Sequence, residues 1–228
     1  MKLRLAFEKT GEMKYIGHLD LLRFFQKVFR RSGVDMRYSE GYSPHMLLSF
    51  AMPLSVGMES VGEILDLEVN SLPDEEITAL LNRNSVQGIR IREAVKLPDN
   101  AKNAMSLVSA ADYRIRRKSG QKEPWQDLIR TFFDEAEELL VTKKTKKSET
   151  VLNMKDLVYS FCEDKGELAL RISSGSEKNV KPELFLTAFF ERAGLSYLPA
   201  EWRILRESLL TGNREKGFVS LLSLGEPL

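Results

Sequence analysis

The chain has 228 residues, with 43% hydrophobic and 29% charged positions and a formal net charge of +1. That length suits two modules of about 100 residues, and the near balance of charge excludes a globally basic nucleic-acid binder, so any basic surface has to come from local segregation. The single cysteine, Cys162, excludes an internal disulfide, a cysteine-rich zinc site and a cysteine-ligated iron–sulfur cluster.

The first residues carry charge inside their apolar run, which does not fit a signal peptide, and no stretch approaches the roughly 18 apolar residues that cross a bilayer. Together with the lone cysteine this predicts a cytoplasmic protein without membrane contact. Leu3, Leu5 and Phe7 alternate with Arg4, Ala6 and Glu8, the period of a half-buried strand. From Leu19 to Ser32 the period becomes helical. Leu21, Leu22, Phe25, Val28 and Phe29 share one side, Asp20, Arg23, Lys27, Arg30 and Arg31 the other, and Gly33 is the stop.

Val34 to Tyr38 reads as extended and Met46 to Met52 as a second strand, with irregular backbone at Gly41 and Pro44 between them. Glu63 to Val69 is the clearest strand. Pro73 is predicted to open a helix buried through Ile77, Leu80 and Leu81, and Gly88 to Val95 closes the unit. The order strand, helix, strand, strand, helix, strand is that of a split βαβ unit. Leu97 to Ala104 reads as a linker, after which the cycle repeats: a strand over Leu107–Arg117, a helix over Pro124–Glu138 and a strand over Leu140–Thr145. A lysine-rich connection, strands over Leu157–Glu163 and Glu167–Ser173, a helix over Pro182–Arg192 and a closing strand from Trp202 to Leu210 complete it. Phe218 to Leu222 reads as an added edge strand. The predicted fold is therefore α+β, two tandem ferredoxin-like modules with antiparallel sheets, spanning residues 1–97 and 105–228.

Charge is segregated within the first half. Glu59 to Ile77 holds seven acidic residues and no Lys or Arg, whereas Arg23 to Arg37 holds five basic residues and one acid, Asp35. The two histidines, His18 and His45, both lie in this half. His18 falls at a helix start, where free N–H groups and the helix dipole favour an anion, with capping as the plainer role. His45 falls in the glycine-punctuated loop, where an ordinary turn residue is the plainer role. If the loop folds over the helix start, the pair could act as acid and base on a phosphodiester, with Arg23, Lys27 or Arg37 stabilising the developing charge. Alternatively they could hold a divalent metal with Asp20, Glu40, Glu63 or Asp66. Neither a metal-ligand motif nor a nucleotide-binding glycine loop is present, so no cofactor is expected.

The basic helix face, with Tyr15, Tyr38 and Tyr42 available for stacking, fits an RNA surface made of Tyr15, Arg23, Lys27, Arg30, Arg31, Arg37 and Tyr42. A solvated helix face is the alternative. The lysines Lys143, Lys144, Lys146 and Lys147 read as a solvated hairpin or loop.

The segments Phe7-Glu8-Lys9, Tyr15-Ile16-Gly17-His18-Leu19-Asp20-Leu21-Leu22-Arg23, Arg30-Arg31, Tyr38-Ser39-Glu40-Gly41-Tyr42-Ser43-Pro44-His45, Ser49-Phe50-Ala51 and Pro53-Leu54 together resemble a bacterial family. It is the radical-SAM-linked domain of unknown function, found alone or C-terminal to a B12-binding radical SAM protein. The chain departs from that pattern at Tyr42-Ser43-Pro44-His45-Met46, where the family more usually has Phe-Asn-Pro-His-Pro. The resemblance implies no established activity. It implies RNA as a partner, or a radical SAM protein to which this chain would be a companion, since one cysteine cannot supply that enzyme's cluster. The functional expectation is an RNA-binding accessory module, with a histidine-dependent phosphodiesterase or endoribonuclease and a protein-binding adaptor as alternatives.

Overall fold

The computed structural model describes residues 1–119, 125–130, 133, 136–144, 149–175 and 178–228. The fold is mixed α+β, mostly antiparallel sheet with few helices. Strand β1 (Lys2–Lys9) leads through a short 3-10 turn at Gly11–Tyr15 into α1 (His18–Ser32), followed by β2 (Leu48–Phe50), β3 (Glu59–Glu68), α2 (Ile77–Arg83) and β4 (Ile89–Leu97). After α3 (Ala104–Leu107) come β5 (Ala110–Arg117), α4 (Trp125–Ile129), β6 (Leu140–Lys144), β7 (Glu149–Asn153), α5 (Met154–Leu157), β8 (Val158–Asp164) and β9 (Glu167–Ser173). The chain ends with α6 (Pro182–Arg192), β10 (Trp202–Asn213), β11 (Gly217–Ser220) and the two-residue β12 (Glu226–Pro227).

Most strands share one sheet, in the order β12-β4-β1-β3-β10-β5-β9-β8, with β2 also pairing with β3 and β11 with β10. Among the described residues all of its pairings are antiparallel except β3 with β10, a parallel contact limited to Leu205 opposite Glu59 and Arg206 opposite Ser60. Strand β3 reaches that contact at its first residues, whereas β2 takes Leu65 to Leu67 further along. Between them sits Gly62, where an added Cβ would lie 2.1 Å from the Glu207 carbonyl oxygen. Glycine is required there because the backbone of β10 occupies the space of a side chain.

Alternation in β1 sends Leu3, Leu5 and Phe7 against Leu21, Phe25, Val28 and Phe29 of α1, all buried, together with Leu65 and Leu67. At about 1.5–3 kcal/mol for each large apolar side chain buried, this face dominates the local stability. Gly33 adopts φ 66° and ends α1, with Gly33 N–H donating to the Arg30 carbonyl and Val34 N–H to the Phe29 carbonyl, a Schellman arrangement. The opposite face of β1 and β3 contributes Ala6 and Ile64 to a second core, which continues through Tyr113, Phe161, Phe185 and Phe189.

Three expectations need correction. Helix α2 starts at Ile77 and not at Pro73, and Glu75, in the approach to it, is held by the Arg83 guanidinium at 2.8 and 3.0 Å. Strand β2 is only three residues long, because Met46 pairs instead with Tyr38 across the loop. Strand β6 lies outside the main sheet and pairs with β7 alone. The expected helix over Pro124–Glu138 is observed as α4 at its start, and Pro124, Thr145, Lys146 and Lys147 lie outside the described residues.

Candidate nucleic-acid interface and groove

The 3-10 turn before α1 is anchored from beneath by Lys9, which is almost wholly buried and donates to the carbonyls of Ile16 at 2.9 Å and Lys14 at 3.3 Å. Burial pushes the Lys9 ammonium below its ordinary pKa, opposed by the attraction of Glu63. This anchor presents Tyr15, 59% exposed, with the Lys14 ammonium 5.1 Å from its ring centre. Gly17 is the N-cap of α1 and His18 its first residue, so His18 does not cap the helix. His18 is exposed and sets its ring edge-on against Phe50, with centroids 5.3 Å apart.

Beyond His18, the outer side of α1 carries Arg23, Lys27, Arg30 and Arg31, all exposed. Arg23 pairs with Asp20 at 3.3 Å, and Arg31 donates to the Asn84 carbonyl at 2.6 Å. Lys27 and Arg30 have neither an ion-pair nor a hydrogen-bond partner among the described residues. Over its 15 residues the helix extends about 22 Å. Arg37 follows near its far end, paired with Glu68 at 3.1 Å, and Tyr42 stands fully exposed in the loop.

The two histidines have different neighbours among the described residues. His18 lies with Phe50 on the face covered by α1. His45 borders a groove whose walls include Ser49, Asp66 and Lys102, and Ser49 and Asp66 bond to Asn103 and Ala104 on the opposite face. Alternation along β2 and β3 sends Phe50, the neighbour of His18, and Leu65 to one side, and Ser49 and Asp66, which line the groove with His45, to the other. The alternative metal set of His18, Asp20 and His45 is likewise not assembled, and no group of three or more His, Cys, Asp or Glu side chains suited to a metal exists among the described residues. Glu63 and Asp66, offered as further ligands, are already held by Arg206 and Arg4.

Sequence reasoning missed where the acidic run finds its counter-charges. Glu59 is held by Arg203, Glu63 by Arg206, Asp66 by Arg4, Glu68 by Arg37 and Glu75 by Arg83. Three of these arginines lie on β1 or β10, far from the acids in sequence.

The fold thus defines an α+β protein with a cationic helix and, beside His45, a groove. The chain belongs to a family of uncharacterized proteins conserved in bacteria, DUF2344, which it matches over residues 2–182. That match covers the whole of the helix and loop just described and most of the second half. No curated protein matches the sequence. No helix among the described residues is long and apolar enough to cross a membrane.

Proposed function

We propose that this is an RNA-binding accessory protein of the cytoplasm, built from two ferredoxin-like modules at residues 1–97 and 105–228, whose first module holds single-stranded RNA along α1. Support for the modular reading comes from strand order. In the first half, β4-β1-β3-β2 is fourth, first, third, second along the chain, and in the second half β10-β5-β9-β8 repeats that order with β6 and β7 as an insertion.

The observation that carries the RNA reading is the unpaired state of Lys27 and Arg30 on a face that also bears Arg23 and Arg31. Unpaired surface cations release counterions from a phosphate backbone without first breaking an internal pair, and the exposed rings of Tyr15 and Tyr42 offer stacking surfaces. Arg37 contributes less, because Glu68 already engages it. The acid–base reading through His18 and His45 is less well supported, since His18 packs on Phe50 and His45 bonds to Ser39. A radical SAM protein as companion rests on the motif resemblance alone.

Fluorescence anisotropy with a labelled single-stranded oligoribonucleotide tests the reading. Affinity should fall with salt, and Lys27→Ala with Arg30→Ala should weaken binding and reduce the slope of log K against log salt by about 1.4, at roughly 0.7 for each phosphate of a single strand that is no longer neutralised. Binding that ignores both substitutions would overturn it.

A further inference from the structure

The groove beside His45 has a volume of about 330 Å³, within the range that encloses a small metabolite. One wall runs from His45 to Ser49, the other is formed by Leu97 and residues 101–103, and Lys2, Leu3 and Asp66 line the space between. Asn103 spans the walls, donating from Nδ2 to Ser49 Oγ at 2.8 Å while its Oδ1 accepts the Met105 N–H at 2.8 Å. Lys2 Nζ donates to the Ala101 carbonyl at 3.2 Å, which holds the ammonium against the second wall.

The charge around the groove does not cancel. Asp66 is held by Arg4 through both oxygens, at 2.6 and 2.9 Å, and accepts the Ala104 N–H at 2.7 Å. Glu68 is paired with Arg37. With those acids answered, the ammonium groups of Lys2 and Lys102 are the surplus, and Lys102 makes no side-chain bond among the described residues. His45 adds a directed ring nitrogen. Ser39 Oγ accepts the His45 backbone N–H at 3.1 Å and pairs with Nδ1 at 2.8 Å, which leaves Nε2 as the ring nitrogen without a partner among the described residues. Leu3, Leu48, Leu67 and Leu97 supply apolar wall on either side of these groups.

We infer that this groove binds a phosphomonoester attached to a short apolar or aromatic body. The two surplus ammonium groups balance a dianion, the unpartnered Nε2 of His45 is a third donor when it carries the ring proton, and charge-assisted bonds of the ammonium kind are the strong ones. The phosphomonoester could belong to a free metabolite or to the terminus of an RNA chain. The inference rests on the groove lining and not on the α1 surface, so the two are tested by separate substitutions.

The test is isothermal titration of the full chain with phenyl phosphate. Saturable binding is expected, weakened about tenfold by Lys102→Met and by His45→Ala, each removing one charge-assisted or directed contact, and unchanged by Lys27→Ala. Both substituted positions are at the surface, and an unchanged melting temperature of the variants without ligand would show that they fold. No heat of binding at millimolar phenyl phosphate, or binding indifferent to both groove substitutions, overturns the inference. Displacement of phenyl phosphate by a 5′-phosphorylated oligoribonucleotide but not by its 5′-hydroxyl form assigns the site to an RNA end, and displacement by neither assigns it to a free metabolite.

Discussion

Arg206 on β10 and Glu63 on β3 form a two-pronged ion pair inside the protein, at 2% and 3% exposure, with Arg206 Nε 2.7 Å from Glu63 Oε1 and Nη2 on Oε2. Arg206 Nη2 also donates to the Met52 carbonyl at 3.1 Å, so the guanidinium fills the wedge left where β2 ends and β10 begins along the same edge of β3. Burial works against its charge, but Glu63 and Tyr113 together outweigh burial and hold the Arg206 pKa above the ordinary value. The contact joins the two halves of the chain at the parallel pairing of β3 with β10.

Removing one partner strands the other as an uncompensated buried charge. Arg206→Met or Glu63→Leu alone is expected to cost about 3–5 kcal/mol in urea unfolding, whereas the double substitution should recover most of that loss. A double variant as unstable as the sum of the two singles would show that the pair is not coupled.

Gly62→Ala places a methyl group against the Glu207 carbonyl, where backbone on both sides leaves little room to yield. The expected loss is about 3 kcal/mol, at the upper end for overpacking. Gly57→Ala is the comparison: nothing lies within 4 Å of its added Cβ, and its cost comes only from φ 89°. Equal thermal shifts for the two would mean that the seam can open without penalty.

Glu59 gives the protein an acid-sensitive contact. Burial would raise its pKa, but the Gly11 N–H at 2.9 Å and the Arg203 guanidinium at 2.6 Å outweigh that and hold it below the ordinary carboxylate value. A carboxyl lowered on folding stabilises the protein fully above its unfolded pKa, about 4.3 for glutamate, and loses that contribution as pH falls through the lowered folded value. Wild type should therefore exceed Glu59→Gln in melting temperature at pH 7, and the gap should narrow as the pH falls below about 4. A gap independent of pH would place the difference in packing and not in charge.

Lys27→Ala and Arg30→Ala should leave the melting temperature unchanged, since neither side chain has a partner to lose among the described residues, and surface changes of that kind are nearly neutral. A loss of RNA affinity without a loss of stability then belongs to the interface. A marked fall in melting temperature on differential scanning would instead assign these cations a part in the fold.

Strand and helix identity were legible wherever the period completes itself within about ten residues. Leu3, Leu5 and Phe7 announce β1, the spacing of Leu21, Phe25, Val28 and Phe29 announces α1, and Lys165 with Gly166, at φ 54° and 82°, marks the hairpin turn between β8 and β9. The outward direction of Arg23, Lys27, Arg30 and Arg31 followed from the same helical period. The destination of the acidic run did not. Glu59 and Glu63 take their partners from Arg203 and Arg206, more than 140 residues away, and local periodicity carries no information over that distance.

By itself the sequence determined the apolar face of α1 and one apolar face of β1, because burial in a helix or strand repeats at a fixed short interval, whereas the burial of Arg4 and Ala6 on the other face of β1 came only with the second core. Only the tertiary structure decided that His18 packs on Phe50 while His45 borders the groove, that β3 meets β10 beside Gly62, and that Glu59, Glu63 and Asp66 are neutralised by arginines from β10 and β1. Those outcomes depend on how strands are ordered side by side, and that order is set by the burial of both sheet faces at once rather than by any one segment.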